Sequence, residues 1–269
     1  MPSSPHADAF TFAGDWSGQL VATAIHAGHD LREETAGLVV LDEETRLREE
    51  DPFTDEIAAR CPARLVVHRS RFEVDLNRDR DAAVYRRPED CWGLEVWRDS
   101  PLPEDVTERS LALHDDFYAR LGERLDVVAE RGPFVLYDVH SYNHRRDGAD
   151  QPMAEPEDNP EVNVGTGSLD RDRWGGVVDA FIASLAGAGT PGGEIDVREN
   201  VRFKGAHLSG WVHERYPDHG VALALEFKKT YMDEWTGRPD AARIDVLSRG
   251  LAGTVDPVLR AVAALGRGR

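Results

Sequence analysis

FVLYDVHSY, residues 134–142, is the stretch whose reading decides the fold. Its apolar opening follows Gly132-Pro133 and has the length of a strand rather than a helix. A buried strand that ends in His140 sets an imidazole at a carboxyl edge, where open α/β sheets keep their chemistry. A core histidine satisfied by hydrogen bonds fits the same nine residues, so the neighbouring segments have to discriminate.

Outward from this strand, helix and strand patterns alternate. Upstream, Pro103 to Arg131 carries Val106, Leu111, Leu113, Phe117, Leu121, Leu125 and Val128 at three- and four-residue steps, a long amphipathic helix. Leu20–Ile25 and Leu65–His68 read as strands, the first running into His26-Ala-Gly-His29. Asp51-Pro52 suits the opening of a helix to about Arg60, with Asp as N-cap and Pro at the first position. Between them, residues 30–50 read as a surface loop or hairpin, and residues 1–14 as a loose lead-in. Arg71 to Arg78 alternates Phe72, Val74 and Leu76 with polar neighbours, and Arg80 to Pro101 is irregular around Trp92 and Trp97.

Downstream, His144 to Pro160 is a polar loop beside the candidate site. Asp170 caps a helix that reaches Leu185 and stops in the Gly-rich stretch 187–193. Residues 195–201 suit a strand and 206–216 a short helix. Val221–Phe227 is another buried strand with Glu226 near its end, and Asp240 to Leu265 closes the chain as one amphipathic helix. The pattern predicts a single α/β domain over 1–269: a mostly parallel, mixed sheet with helices on both faces.

Bulk properties narrow the function. With 269 residues, 41% hydrophobic and 30% charged, the chain can bury a full core. A net charge of -18 argues against nucleic acid as a partner, and an anionic substrate would need basic groups gathered locally. Cys61 and Cys91 are too few for a disulfide framework and lack zinc-knuckle spacing, which suits free thiols in a reducing compartment. No signal peptide pattern and no run of membrane-spanning length is visible, so a cytoplasmic protein without a membrane partner is expected.

Strands thus end at His26, His140 and Glu226, and a helix start offers Asp51. Two imidazoles and a carboxylate are a common zinc set with a fourth position open to water, and a further carboxylate could move that water's proton. Each residue also has a plainer reading. Asp51 could be only a helix cap, and Arg71 and Arg78 could belong to a solvated ion-pair run with Arg69, Arg80 and nearby acids. His29, His114, His213 and His219 read as surface residues. Phe203-Lys204-Gly205 and His207 suit either a substrate-facing segment or a turn, and Gly165-Thr166-Gly167-Ser168 either an anion cradle or a turn. No Gly-x-Ser-x-Gly elbow is present for a serine hydrolase.

In their order and spacing, IHAGH around His26, EDPFTDEIA from Glu50, SRFEVDLNRD from Ser70, DVHSYN from Asp138, RFKGAH from Arg202 and ALEFKK from Ala224 resemble the N-formylglutamate amidohydrolase family. The resemblance spans roughly residues 20–234, and DLNR and HSY are shared with the wider zinc carboxypeptidase group. It implies a zinc carboxypeptidase-like (phosphorylase/hydrolase-like) fold and one zinc ion on His26, Asp51 and His140. Glu50 and His29 are rivals of Asp51 as the third ligand. It further implies Glu226 as general base, Arg71 as oxyanion stabiliser, and Asn77 with Arg78 as a grip on the substrate's α-carboxylate. The implied activity is zinc-dependent cleavage of the N-acyl, formyl-type amide of a small acidic amino acid bearing a free carboxylate. A metallocarboxypeptidase or other N-acyl amino acid deacylase is the alternative on this scaffold, and a non-catalytic binding relative the alternative of another class.

Overall fold

The computed structural model describes residues 8–189 and 193–265. In chain order the regular elements are Phe10–Gly14 (β1), Leu20–Ala24 (β2), Glu33–Ala36 (α1), Glu43–Glu49 (α2), Thr54–Ile57 (α3), Ala63–Val67 (β3), Glu104–Ala129 (α4), Phe134–Tyr142 (β4), Val162–Gly165 (β5), Arg171–Ala186 (α5), Val197–Glu199 (β6), His207–Arg215 (α6), Gly220–Lys228 (β7), Ala241–Gly253 (α7) and Val255–Leu265 (α8). All nine residues of β4 are buried, and β4 lies at the centre of a seven-stranded sheet of order β1-β3-β2-β4-β7-β5-β6. The β3/β2, β2/β4, β4/β7 and β5/β6 pairs are parallel, whereas β1/β3 and β7/β5 are antiparallel. The expected single α/β domain with a mostly parallel, mixed sheet is therefore the fold of the described residues.

Period-two alternation explains the two layers. Phe134 and Leu136 of β4 pack with Phe117 and Leu121 of α4 and Leu208 and Val212 of α6. Val135, Tyr137 and Val139 face the other way, onto Trp174, Val178 and Phe181 of α5 and onto α7 and α8. Each such fully buried side chain contributes about 1.5–3 kcal/mol through removal of apolar surface from water. Asp138 and His140 share the α4 side of the strand with Phe134 and Leu136, so the polar end of β4 continues one face of the core.

Several local expectations give way to tertiary context. The lead-in contains β1, paired with β3 from Phe10 opposite Val67 to Gly14 opposite Ala63; residues 1–7 lie outside the described residues. The stretch 30–50 forms α1 and α2 rather than a loop or hairpin, although Val39 does make one antiparallel bridge to Trp97. Asp51 is not a helix cap: α3 begins at Thr54 behind Phe53, which is left-handed (φ 66°), and the Asp51 carboxylate is free for other work. In 71–78 the alternating Phe72, Val74 and Leu76 are buried as the pattern implies, but the backbone turns instead of extending. The strand expected over 195–201 is only β6, the closing helix breaks at Thr254 into α7 and α8, and β5 was not anticipated. Asp170 does cap α5, accepting from the N–H groups of Asp172 and Arg173. Residues 190–192 of the Gly-rich stretch after it lie outside the described residues. Both cysteines are free and buried, and no helix among the described residues is long and apolar enough to cross a membrane.

Candidate active site

The β4/β7 register sets His140 directly opposite Glu226 at the carboxyl edge of the sheet. His26 follows β2, the neighbour of β4 on the other side, and its carbonyl accepts the Asp51 N–H at 2.9 Å. That bond pulls the segment after α2 across the strand ends. His26, Asp51 and His140 are all buried, and one ligand atom of each lies within 4.8 Å of the others. Asp51 Oδ2 stands 3.1 Å from His140 Nδ1 and 3.4 Å from His26 Nδ1, and its Oδ1 accepts from the Ser141 hydroxyl at 3.1 Å.

Each imidazole is oriented from behind. His26 Nε2 meets Asp75 Oδ1 at 2.8 Å, and His140 Nε2 meets Asp138 Oδ1 at 2.9 Å. Asp138 is two residues before His140, so strand alternation puts both on one side, and Thr23 holds the same carboxylate oxygen at 3.1 Å. A carboxylate can only accept, so each Nε2 carries the hydrogen and each Nδ1 faces Asp51. This carboxylate–histidine arrangement is what metal-binding histidines commonly use. His26 Nδ1 is buried without a hydrogen-bond partner, a state that costs free energy unless something fills the space between the three groups. The donor set, two imidazole nitrogens and a carboxylate oxygen, fits a divalent metal ion.

The electrostatics reflect this crowding. Burial disfavours ionised Asp51, yet the neighbouring imidazoles of His140 and His26 hold its carboxyl well below the usual range. Burial likewise disfavours a charged His140, but Asp138 and Asp51 raise its pKa well above the ordinary histidine value. Glu226 behaves in the opposite way: desolvation, with Asp51 and Asp138 nearby, pushes it up to about 8 against the pull of His140. A cation at the trio would draw it down again.

Arg71, Asn77, Arg78 and Glu226 line the same cavity of about 270 Å³ as the trio, together with Glu49, Trp92, Asn143, Arg146, Phe203 and Lys229. Arg71 donates from Nη2 to Asp75 Oδ2 at 2.8 Å and from Nε to the Tyr85 hydroxyl at 3.2 Å, beneath the Trp92 ring. Arg78 lies over the Tyr85 ring, its Nε 3.5 Å from Asp75. Asn77 is half committed: its Oδ1 accepts the Leu208 N–H at 3.0 Å at the start of α6, whereas its Nδ2, 3.2 Å from a His140 Nε2 whose hydrogen goes to Asp138, keeps its hydrogens for another acceptor. The rivals of Asp51 are engaged elsewhere. His29 Nδ1 meets Glu50 Oε2 at 2.5 Å, and Glu50 also takes the Ser70 hydroxyl. Gly28 allows this turn, because a Cβ there would lie 2.2 Å from the His68 carbonyl carbon.

Other sequence candidates separate cleanly. Phe203 reaches the cavity, whereas His207 pairs with Asp79 at 3.0 Å. In 165–168, Gly165 ends β5 and the turn after it has two N–H groups already taken, Thr166 by Asn200 and Gly167 by Lys204. Two histidines read as surface residues are not. His114 is 5% exposed and bonds the Arg78 carbonyl at 3.0 Å, and His213 is partly buried between Ser168 and the Ala222 N–H. Asp75, Asp138 and Lys229 went unassigned in the sequence, although all three lie inside the quoted motifs. Lys229 is fully buried and donates to the carbonyls of Arg48 at 2.6 Å and Glu50 at 2.7 Å, tying the residues flanking Asp51 to the end of β7.

A model of the family described as N-formylglutamate amidohydrolase matches residues 18–232, most of the chain. The chain belongs to the N-formylglutamate amidohydrolase family. As a member it is a hydrolase of C–N amide bonds acting on a small molecule. Among solved structures, an N-formylglutamate amidohydrolase from Ralstonia eutropha JMP134 is similar over 97% of this chain and 99% of that one, at 20% identity and a TM-score of 0.72. Gene product Atu2144 of Agrobacterium tumefaciens is similar over 93% and 96%, at 16% identity and a TM-score of 0.62. Carboxypeptidase A of Helicoverpa armigera is similar over 96% and 66%, at 12% identity and a TM-score of 0.47. No curated protein matches the chain. At these identities the solved structures bear on the fold, which the amidohydrolase of Ralstonia shares across its whole length.

Proposed function

We propose that the chain cleaves the N-acyl amide, of formyl type, of a small acidic amino acid such as N-formylglutamate, using one zinc ion held by His26, Asp51 and His140. The observation that carries this reading is the unpartnered, buried Nδ1 of His26 facing Asp51 and His140 with both rings anchored by carboxylates. Nitrogen and oxygen donors of this kind suit zinc. When bound, the ion supplies Lewis acidity toward the acyl carbonyl and toward water.

The remaining steps fall to side chains. Glu226, lining the cavity and directly opposite His140 on the neighbouring strand, takes a proton from the attacking water and delivers it to the departing amide nitrogen. Arg71 retains N–H groups beyond those given to Asp75, Tyr85 and the Glu49 carbonyl, and these stabilise charge developing on the carbonyl oxygen. Arg78 grips the α-carboxylate with its planar guanidinium, Asn77 Nδ2 assists, and the grip fixes the amide against Glu226. The cavity of about 270 Å³ suits an acylated amino acid better than a peptide. Its four basic side chains balance its four acidic ones, in a chain of net charge -18, so the site is far less hostile to an anion than the exterior. Buried free thiols accord with a cytoplasmic setting.

Metal analysis of the purified protein, joined to hydrolysis of a panel of N-formyl and N-acetyl amino acids, tests the reading. Zinc near one equivalent, lost in His140→Ala, and turnover of N-formylglutamate are expected. Stoichiometric zinc in that variant, or no turnover of any acyl amino acid by the zinc-loaded protein, would overturn it.

A further inference from the structure

Four cationic side chains line the cavity, and they are not held alike. Arg71 is bound to Asp75 and Tyr85, Lys229 spends two donors on backbone carbonyls, and Arg78 is stacked on Tyr85 beside Asp75. Arg146 differs. Its side chain is 53% exposed, and among the described residues its one ion pair is with Glu49, Nη2 to Oε2 at 3.4 Å. Most of its hydrogen-bonding edge is thus open to an incoming acceptor.

The backbone beneath Arg146 is nevertheless firmly placed. The N–H groups of His144 and Arg145 both donate to Glu234 Oε1, at 3.1 and 2.8 Å, from a carboxylate that is 2% exposed. The Trp235 indole holds the Arg145 carbonyl at 2.9 Å, and Ala154 N–H holds that of His144 at 2.7 Å. Glu49, largely buried, faces Asn143 and Arg48 as well as Arg146, and draws the guanidinium toward the cavity wall. The result is a loosely paired cation on a fixed base at the rim, while Lys229 is committed to backbone carbonyls, Arg71 is largely bound to Asp75 and Tyr85, and Arg78 lies deeper over the Tyr85 ring.

We infer that Arg146 is the residue that selects an acidic side chain in the substrate, receiving the side-chain carboxylate while Arg78 receives the α-carboxylate. The inference rests on the proposed N-acyl amino acid hydrolysis and adds to it the origin of the preference for a second carboxylate. Planar, charge-assisted recognition of a carboxylate suits a guanidinium with donors to spare. The pairing with Glu49 keeps the empty cavity neutral, and a substrate carboxylate exchanges for it at small cost because the existing contact is long and partly solvated.

The test compares kcat/KM for N-formylglutamate and for N-formylglutamine, which differ in side-chain charge and little in shape, using metal-loaded wild type, Arg146→Gln and Arg146→Lys. Wild type is expected to prefer N-formylglutamate, Arg146→Gln to lower that preference ratio by roughly tenfold or more, and Arg146→Lys to keep part of it. An unchanged ratio in Arg146→Gln, whether both rates hold or fall together, overturns the assignment and leaves the proposed hydrolysis standing. Equal use of both substrates by wild type does the same. Failure of wild type to hydrolyse any acyl amino acid removes the hydrolysis itself, and the role of Arg146 with it.

Discussion

Changing Asp75 to Asn keeps the side-chain volume and removes the charge from a carboxylate that serves four hydrogen-bond partners at the site. Asp75 is fully buried. It accepts from Arg71 Nη2 at 2.8 Å and from the Asn77 N–H at 2.9 Å, binds the Tyr85 hydroxyl, and meets His26 Nε2 at 2.8 Å. Burial opposes its ionisation, but Arg71 and His26 hold its carboxyl well below the usual range, so the negative charge is part of the folded state. In the variant the amide oxygen can still serve one side. The NH2 that replaces the other oxygen points donor to donor, against Arg71 and Tyr85 if it takes the Oδ2 position. Leaving a buried guanidinium without its counter-ion costs about 3–5 kcal/mol. At about 2–4 °C per kcal/mol for a chain of this size, the metal-free protein should melt roughly 10 °C lower. Loss of the carboxylate that orients His26 should also weaken zinc binding by about 10- to 100-fold. Calorimetry of the metal-free protein and a competitive chelator titration read the two effects separately. A melting point within about 2 °C of wild type, with unaltered zinc affinity, would refute the argument that Asp75 holds Arg71 and His26 together.

Glu226→Gln should retain zinc while kcat falls by roughly two orders of magnitude or more; wild-type turnover would remove Glu226 from proton transfer. Arg78→Ala should raise KM for substrates with a free α-carboxylate and erase the preference over their α-esters, and an intact preference in steady-state kinetics would discard the grip. His213 gives a pH effect remote from the cavity. Burial drives its pKa down to about 4 from 6.5, and the neutral ring is the form whose Nε2 can accept the Ala222 N–H. Between those pH values the folded protein binds fewer protons there than the unfolded chain, so this contribution is full above 6.5 and is lost as pH falls through about 4. Urea unfolding should show the stability of wild type falling relative to His213→Gln by about 3 kcal/mol from pH 7 to pH 4; a difference independent of pH would show that the imidazole does not titrate in this way.

What the sequence made legible follows from periodicity. β4 and β7 are long apolar runs, and in their parallel register the polar residues His140 and Glu226, near the two carboxyl ends, stand side by side. α4 was equally clear because its apolar residues recur at helical spacing over seven turns. The failures share a different cause. β1 and β5 are short, of five and four residues, and each owes its state to the strand beside it. Such elements are specified by pairing, and local composition carries little of that. Gly253 and Pro257 flank the break at Thr254, local signals inside an otherwise continuous amphipathic pattern, and the Thr254 hydroxyl bonds the Leu251 carbonyl at 2.7 Å and Tyr137 of β4, more than a hundred residues away, at 2.8 Å.

Asp51, the proposed third ligand, shows why a purely local reading leaves a helix cap open beside the ligand role. Asp-Pro suits a helix start, and in isolation its carboxylate would bond the N–H groups of the first turn. Three distant contacts decide otherwise. The His26 carbonyl takes the Asp51 N–H, the Lys229 ammonium holds the carbonyls of Arg48 and Glu50, and the Tyr231 hydroxyl holds that of Pro52 at 3.0 Å. Together they fix the backbone on both sides of Asp51 and turn its side chain beneath the two imidazoles. Burial lowers the Lys229 pKa, opposed by the charges of Asp51 and Glu49, so the clamp is itself maintained by the carboxylate that it positions. Lys228 and Lys229 are indistinguishable as letters. Their order matters because β7 ends at Lys228, and the next residue turns back, its N–H bonded to Tyr142, under the loop that carries Asp51.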